Sequence, residues 1–220
     1  MHETRTPSRS ASAEVVAHVK EAIRSGRLSP GQRLLESELT GRLGVSRGPV
    51  REAIAQLQVE GFIDVEPHRG ARVHQMSRDE MAQLFHVRGL LAADAARLAA
   101  ERIGTDGNRA RMRAERRRQL ALRANADLAV YAAANVEFHT LIDEMSGNQL
   151  LASLLEGLQT RVGPFMSLAQ SSNRNRLLEH HLQIADAILA GDGGAAARAM
   201  RRHVRATLRA IMALPDAWFC

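Results

Sequence analysis

Three histidines, far apart in the chain, each interrupt an otherwise apolar helical stripe. His139 follows Phe138 and precedes Ile142 and Met145. His181 falls in the series Leu177, His181, Ile184, Ile188, and His203 in the series Ala196, Met200, His203, Thr207, Ile211. Spacings of three and four residues mark one face of a helix, so each ring is aimed inward from a separate helix. A buried imidazole without a partner is costly. Either each ring finds its own hydrogen bond in the core, or the three converge. Converging imidazoles are ligands for a divalent metal of the zinc, nickel or manganese type. Asn135 stands one turn before His139 on the same face. His180 points about 100° away from His181 around the helix and is not counted with the three.

Arginines supply the other candidate chemistry. Arg88 lies on the apolar stripe Met81, Leu84, Phe85, Leu91, Ala92, Ala95, Leu98. A buried guanidinium calls for a carboxylate. That carboxylate is internal, Asp143 or Asp186, or belongs to a small bound effector; Arg161 is a further candidate for the same pocket. Near the N-terminus, Arg47 and Arg51 stand one turn apart beside the packing stripe Val50, Ile54, Leu57. Such a pair can grip guanine edges or phosphates, or form surface ion pairs with residues such as Glu52. Arg69 and Gly70 fall at the tip of a short hairpin, where glycine admits close backbone approach. Seven arginines against the single acid Glu115 fill residues 109–123 and read as a solvated helix face.

The elements that must position these groups follow from punctuation and period. Residues 1–12, rich in Ser, Thr, Arg and Pro, read as a disordered tail. Helices are expected over about 13–25, 36–43 and 47–60, the last capped by Ser46 with Pro49 in its first turn. Strands over 62–66 and 71–75, joined by Pro67-His68-Arg69-Gly70, make a hairpin. From residue 78 to 214 the pattern is helical, with breaks near 104–107, 125, 146–148, 171–173 and 191–194, and with Gly163-Pro164 kinking or splitting one helix. The fold class is mainly α: an N-terminal winged helix-turn-helix (13–76) with a small β-hairpin wing, and a C-terminal antiparallel all-helical bundle (77–214), followed by a tail (215–220).

Composition narrows the classes. Hydrophobic residues make up 45% of the 220, enough for real cores, but aromatics only 3%, so those cores are aliphatic. The formal charge of +6 fits a polyanionic partner. One cysteine, Cys220, excludes an intrachain disulfide and suits a reducing cytoplasm. The polar first residues lack a signal-peptide core, and no apolar run is long enough to span a membrane.

Residues 15–75 resemble the DNA-binding domain of the GntR family. The likeness runs through Gly26-Arg27-Leu28-Ser29-Pro30-Gly31, Leu35-Glu36, Leu39, Leu43-Gly44-Val45-Ser46-Arg47-Gly48-Pro49-Val50-Arg51-Glu52-Ala53 and Glu60-Gly61. It implies that Arg47 and Arg51, with Ser46, meet a double-stranded operator from the recognition helix. It places Arg69 and Gly70 at the minor-groove side and Arg33 at the backbone. Ser37 stands where the family often has a basic residue and offers a neutral hydrogen bond. Asn135-Val136-Glu137-Phe138-His139, Ser146-Gly147-Asn148, His181 before Ile184-Ala185-Asp186-Ala187-Ile188, Gly191-Asp192 and His203 resemble the FCD effector domain of FadR-type members. That resemblance implies a divalent metal held by His139, His181 and His203, with Asn135 at a position usually acidic, and an effector carboxylate on Arg88. The expected protein is a homodimeric, cytoplasmic regulator, a repressor by family habit. Two other readings are a metal sensor, in which the metal is itself the signal, and a metal-dependent hydrolase, for which no HExxH-like motif supplies a base.

Overall fold

In this computed structural model residues 10–66, 69–125 and 127–220 are described. They form two compact units that divide between Gln75 and Met76. The first opens with α1 (Ala11–Arg24), capped by the Ser10 hydroxyl, which accepts from the Ala13 N–H. Ser10 to Ser12 therefore belong to a helix cap and first turn rather than to the expected tail; residues 1–9 lie outside the described residues. Helix α2 (Glu36–Leu43) ends where Gly44 takes a left-handed conformation, φ 65°. Helix α3 (Arg47–Val59) follows after the three residues Gly44, Val45 and Ser46. Val15, Val19, Val50, Ala53 and Leu57, all fully buried, knit α1 to α3.

Strands β1 (Arg33–Leu34), β2 (Ile63–Glu66) and β3 (Gly70–Val73) form an antiparallel sheet in the order β1-β3-β2. Strand β2 starts one residue later than expected: the Phe62 N–H donates to the Leu57 carbonyl and closes α3, while its carbonyl still accepts from the His74 N–H at 3.0 Å. Strand β1 is an addition to the expected wing. Its two residues pair Arg33 with Arg72 and Leu34 with Ala71, too short a run for any period to reveal. The expected tip residues Pro67 and His68 lie outside the described residues.

The second unit is a helical bundle: α4 (Arg78–Glu101), α5 (Asn108–Asn125), α6 (Leu128–Met145), α7 (Gln149–Ala190) and α8 (Gly193–Met212). Ser77 and Glu80 form a reciprocal capping box at the start of α4. Met76 joins this core rather than the winged unit. Ala92, Ala93, Ala95, Ala96, Ala99 and Ala100 are buried along α4, and small side chains allow neighbouring helices to approach closely. Helix α7 runs unbroken through Pro164 and through 171–173, where a break was expected. Ser and Asn only weakly disfavour helix, and packing of the flanking stripes outweighs them. The tail, residues 215–220, packs on this unit: a 3₁₀ turn (Asp216–Trp218) brings Phe219 against Phe165, ring centroids 5.7 Å apart. Among the described residues no helix is long and apolar enough to cross a membrane.

Candidate DNA-facing surface and buried histidine centre

On the winged unit, the apolar stripe of α3 turns Ser46, Arg47 and Arg51 to solvent. Ser46 occupies the N-cap position of α3, but its hydroxyl makes no cap hydrogen bond, contrary to expectation; it remains exposed beside Arg47. Arg51 is 67% exposed and its Nε donates to Glu36 of α2 at 3.1 Å, so its ion-pair partner is Glu36 and not Glu52. Ser37, the next residue of α2, is exposed. At the wing, Arg69 pairs with Glu66 at 3.2 Å. Gly70 has φ 79°, and a Cβ built there would lie 3.8 Å from the Arg33 guanidinium. Strand β1 thus brings Arg33 to the wing tip, a juxtaposition that sequence spacing does not contain.

In the bundle, the expected convergence of the histidines is present. His139 from α6, His181 from α7 and His203 from α8 are buried, the last two at 0% exposure. One ring nitrogen from each lies within 4.8 Å of the others. The His139 and His203 Nε2 atoms are 3.2 Å apart. Two donors bound at about 2.0–2.1 Å on one ion would stand roughly 3–3.4 Å apart, so this spacing suits a shared cation. Phe138 stacks on His181, centroids 4.3 Å apart at 18°, and limits ring rotation.

Burial comes first among the causes that hold all three imidazoles below their ordinary pKa of 6.5, with His181 brought to about 3; the neighbouring positive groups add to it. The rings are therefore neutral and have lone pairs to donate. The His181 Nε2 and the Asn135 Oδ1 are buried with no hydrogen-bond partner among the described residues. Asn135, 2% exposed, adds an oxygen donor without a formal charge. The donor set fits a divalent metal. His180 is only half-buried and stays outside this group, although its ring centroid is 6.1 Å from that of His203.

Arg88 is 2% exposed. Its Nη2 donates to Gln159 Oε1 at 2.7 Å, while Nη1 has no partner among the described residues. The expected internal carboxylates divide: Asp186 pairs with Arg116, and Asp143 acts on Arg88 through its charge. Burial lowers the Arg88 pKa to about 10 against the pull of Asp143. Burial also raises Asp143 to about 7, opposed by Arg88. Arg161 is half-buried on α7, two residues beyond Gln159.

Sequence reasoning missed Gln119. Its helix, α5, is more than a solvated face: Arg111 pairs with Glu144, Arg116 with Asp186, and Arg118 with Glu115 and Glu137. Beneath those arginines Met112, Glu115, Gln119 and Leu122 form a buried stripe at helical spacing. Gln119 Oε1 lies 3.0 Å from His181 Nδ1. The stripe itself was the available signal, obscured by the arginine excess.

A winged helix with exposed arginines, followed by a helical unit with a buried polar centre, defines a class of DNA-binding regulator. The chain belongs to the GntR family of bacterial regulatory proteins: residues 11–73 match that family's model and residues 83–206 match the FCD domain. It is a DNA-binding transcription regulator and not an enzyme. A probable D-xylose utilization operon transcriptional repressor of Paenarthrobacter nicotinovorans is 32% identical over 86% of this chain and 83% of its own length. The transcriptional repressor RspR of Escherichia coli K12 is 31% identical over 81% and 78%. Among solved structures, Escherichia coli McbR/YncC shares the fold with a TM-score of 0.81 at 22% identity, covering 93% of this chain and 98% of that one.

Proposed function

We propose that this chain is an operator-binding repressor whose DNA affinity is set by a small carboxylate held at a metal centre in the FCD domain. In this reading Ser46, Arg47 and Arg51 contact operator bases and phosphates, Ser37 offers a neutral hydrogen bond, Arg33 meets the DNA backbone, and Arg69 and Gly70 lie at the minor-groove side of the wing. His139, His181 and His203, with Asn135, would hold a divalent ion of the zinc, nickel or manganese type. That ion supplies a Lewis-acid contact for an effector carboxylate. Arg88 supplies a charge-assisted hydrogen bond to the same anion, with Arg161 a further candidate.

The observation that carries this reading is the pairing of three converging neutral imidazoles with a buried guanidinium whose Nη1 is unpartnered among the described residues. The Arg88 group favours a carboxylate signal over a reading in which the metal alone is sensed. Repression is carried over from the two relatives' names. A homodimer is supported by large apolar side chains left exposed on α4 (Val87, Leu90) and α7 (Leu150, Leu154).

The test combines elemental analysis with operator titration. Metal-replete protein should carry close to one divalent ion per chain. His181→Ala should lose the ion and the effector response while still binding operator. Absence of bound ion in metal-replete protein, or a normal effector response in His181→Ala, sinks the metal-anchored reading. Operator binding that tracks metal concentration without organic acid would favour the metal as signal.

A further inference from the structure

We propose that Gln119 is a positioning residue that fixes His181 as the Nδ1–H tautomer and so turns its Nε2 lone pair toward His139 and His203. Only the last step, that this lone pair then ligates a metal, rests on the function proposed above.

The argument is one of donors and acceptors. Arg118 can only donate, and it does so through Nε and Nη2 to both oxygens of Glu115, at 2.9 and 3.1 Å. Glu115, 8% exposed, is thereby held as an acceptor. Its Oε1 lies 2.7 Å from the Gln119 side-chain nitrogen, and the Ala134 carbonyl lies 3.5 Å from the same nitrogen. Both neighbours on that side accept, so the NH₂ end of the amide belongs there. The reversed amide would set its carbonyl oxygen against a carboxylate. The Gln119 oxygen therefore faces His181 Nδ1 at 3.0 Å and requires a hydrogen on it. A neutral imidazole carries one such hydrogen, which leaves Nε2 as the lone-pair nitrogen. Gln119 and His181 are both at 0% exposure, so no competing water offers an alternative partner at ordinary cost.

The outer end of this relay reaches the surface. Arg118 also pairs with Glu137 across a groove of about 510 Å³ between α5 and α6. The polarity of a buried ligand atom is thus set from an arginine at the surface, through Glu115 and Gln119. Partners behind a ligating histidine commonly change metal affinity by about 10–100-fold.

The experiment uses full-length protein labelled with ¹⁵N-histidine and stripped of metal, followed by zinc titration against a chelator. In the unmodified chain the ¹⁵N shifts should report His181 protonated at Nδ1. Gln119→Met keeps the length and removes the acceptor; it should abolish that preference and weaken zinc binding by about 10–100-fold. Should Gln119→Met fail to fold, Arg118→Gln, at a half-exposed position, loosens the relay from its outer end and should shift the tautomer balance in the same direction. A folded Gln119→Met protein that retains the Nδ1–H form and full zinc affinity overturns the proposal. A tautomer that depends on Gln119 in a chain that binds no zinc upholds the relay and removes the metal reading instead.

Discussion

Asn135 is the side chain at which this chain's proposed centre departs most from an ordinary metal site. Three imidazoles and an amide are all neutral, so nothing among these donors offsets a dication. Asn135→Asp should therefore tighten zinc or manganese binding, measured by chelator competition, because a formal charge is added beside the ion. Arg88 makes a second case. Removing a poorly paired buried charge relieves its desolvation; Asp143, which burial already raises to about 7, loses the opposing Arg88 charge and answers by staying protonated. Arg88→Met should raise the urea midpoint of the metal-free protein while abolishing the effector response, since Gln159 is half-buried and can turn to solvent. A lower midpoint with intact response would remove Arg88 from the effector site. On the DNA side, Arg51 leaves an exposed ion pair with Glu36 that contributes little. Arg51→Ala should weaken operator binding by about 1–3 kcal/mol, with the circular dichroism spectrum unchanged. The histidines and Arg88 were legible because each interrupts an apolar stripe. Gln119 was not, because the arginines around it mask its stripe, and neither was Gln159, whose partner 71 positions away leaves no mark on its neighbours.

Helices were readable in kind more than in extent. Glycine caps and apolar spacing indicated α1, α2 and α3, and the ends of α4 and α6, because those signals are local. The continuity of α7 was not local: it is carried by stripes on both sides of a polar, weakly helix-forming segment. Strand β1 was invisible for a related reason, since it exists only because β3 runs beside it. The alanine stripe of α4 has an energetic corollary. Ala96 is fully buried in the bundle core, and Ala96→Leu would force three additional carbons into it. That substitution should destabilise the protein by about 1–3 kcal/mol in urea unfolding, with the winged unit's operator contacts chemically untouched.

Acid should weaken the molecule, and the sign follows from the buried groups. His139, His181 and His203 are all held below 6.5, so below that pH the unfolded chain binds protons the folded chain refuses. Stability is then full above pH 6.5 and is lost as pH falls toward about 3, the value for His181. Asp143, raised to about 7, acts oppositely: it favours the folded chain below the ordinary carboxyl value of 3.8 and loses that contribution as pH rises through about 7. Three groups outweigh one, so the melting temperature of metal-free protein should fall from pH 6.5 to 4. An unchanged or rising melting temperature over that range would contradict the burial of the trio.

The second unit fastens its own last residues to its first. Arg78, at the start of α4, donates to the carbonyls of Met212 and Leu214 and to Asp216, and lies 4.2 Å over the Phe219 ring. The Cys220 N–H reaches the Met76 carbonyl at 3.4 Å. Cys220 is exposed, and it is the single thiol of the sequence. A spin label attached there without any mutation would ride beside Met76, the residue at which the chain passes from one unit to the other. Pulsed dipolar spectroscopy on labelled protein, with and without operator DNA or organic acid, would then read how far two such junctions move apart in the homodimer proposed above.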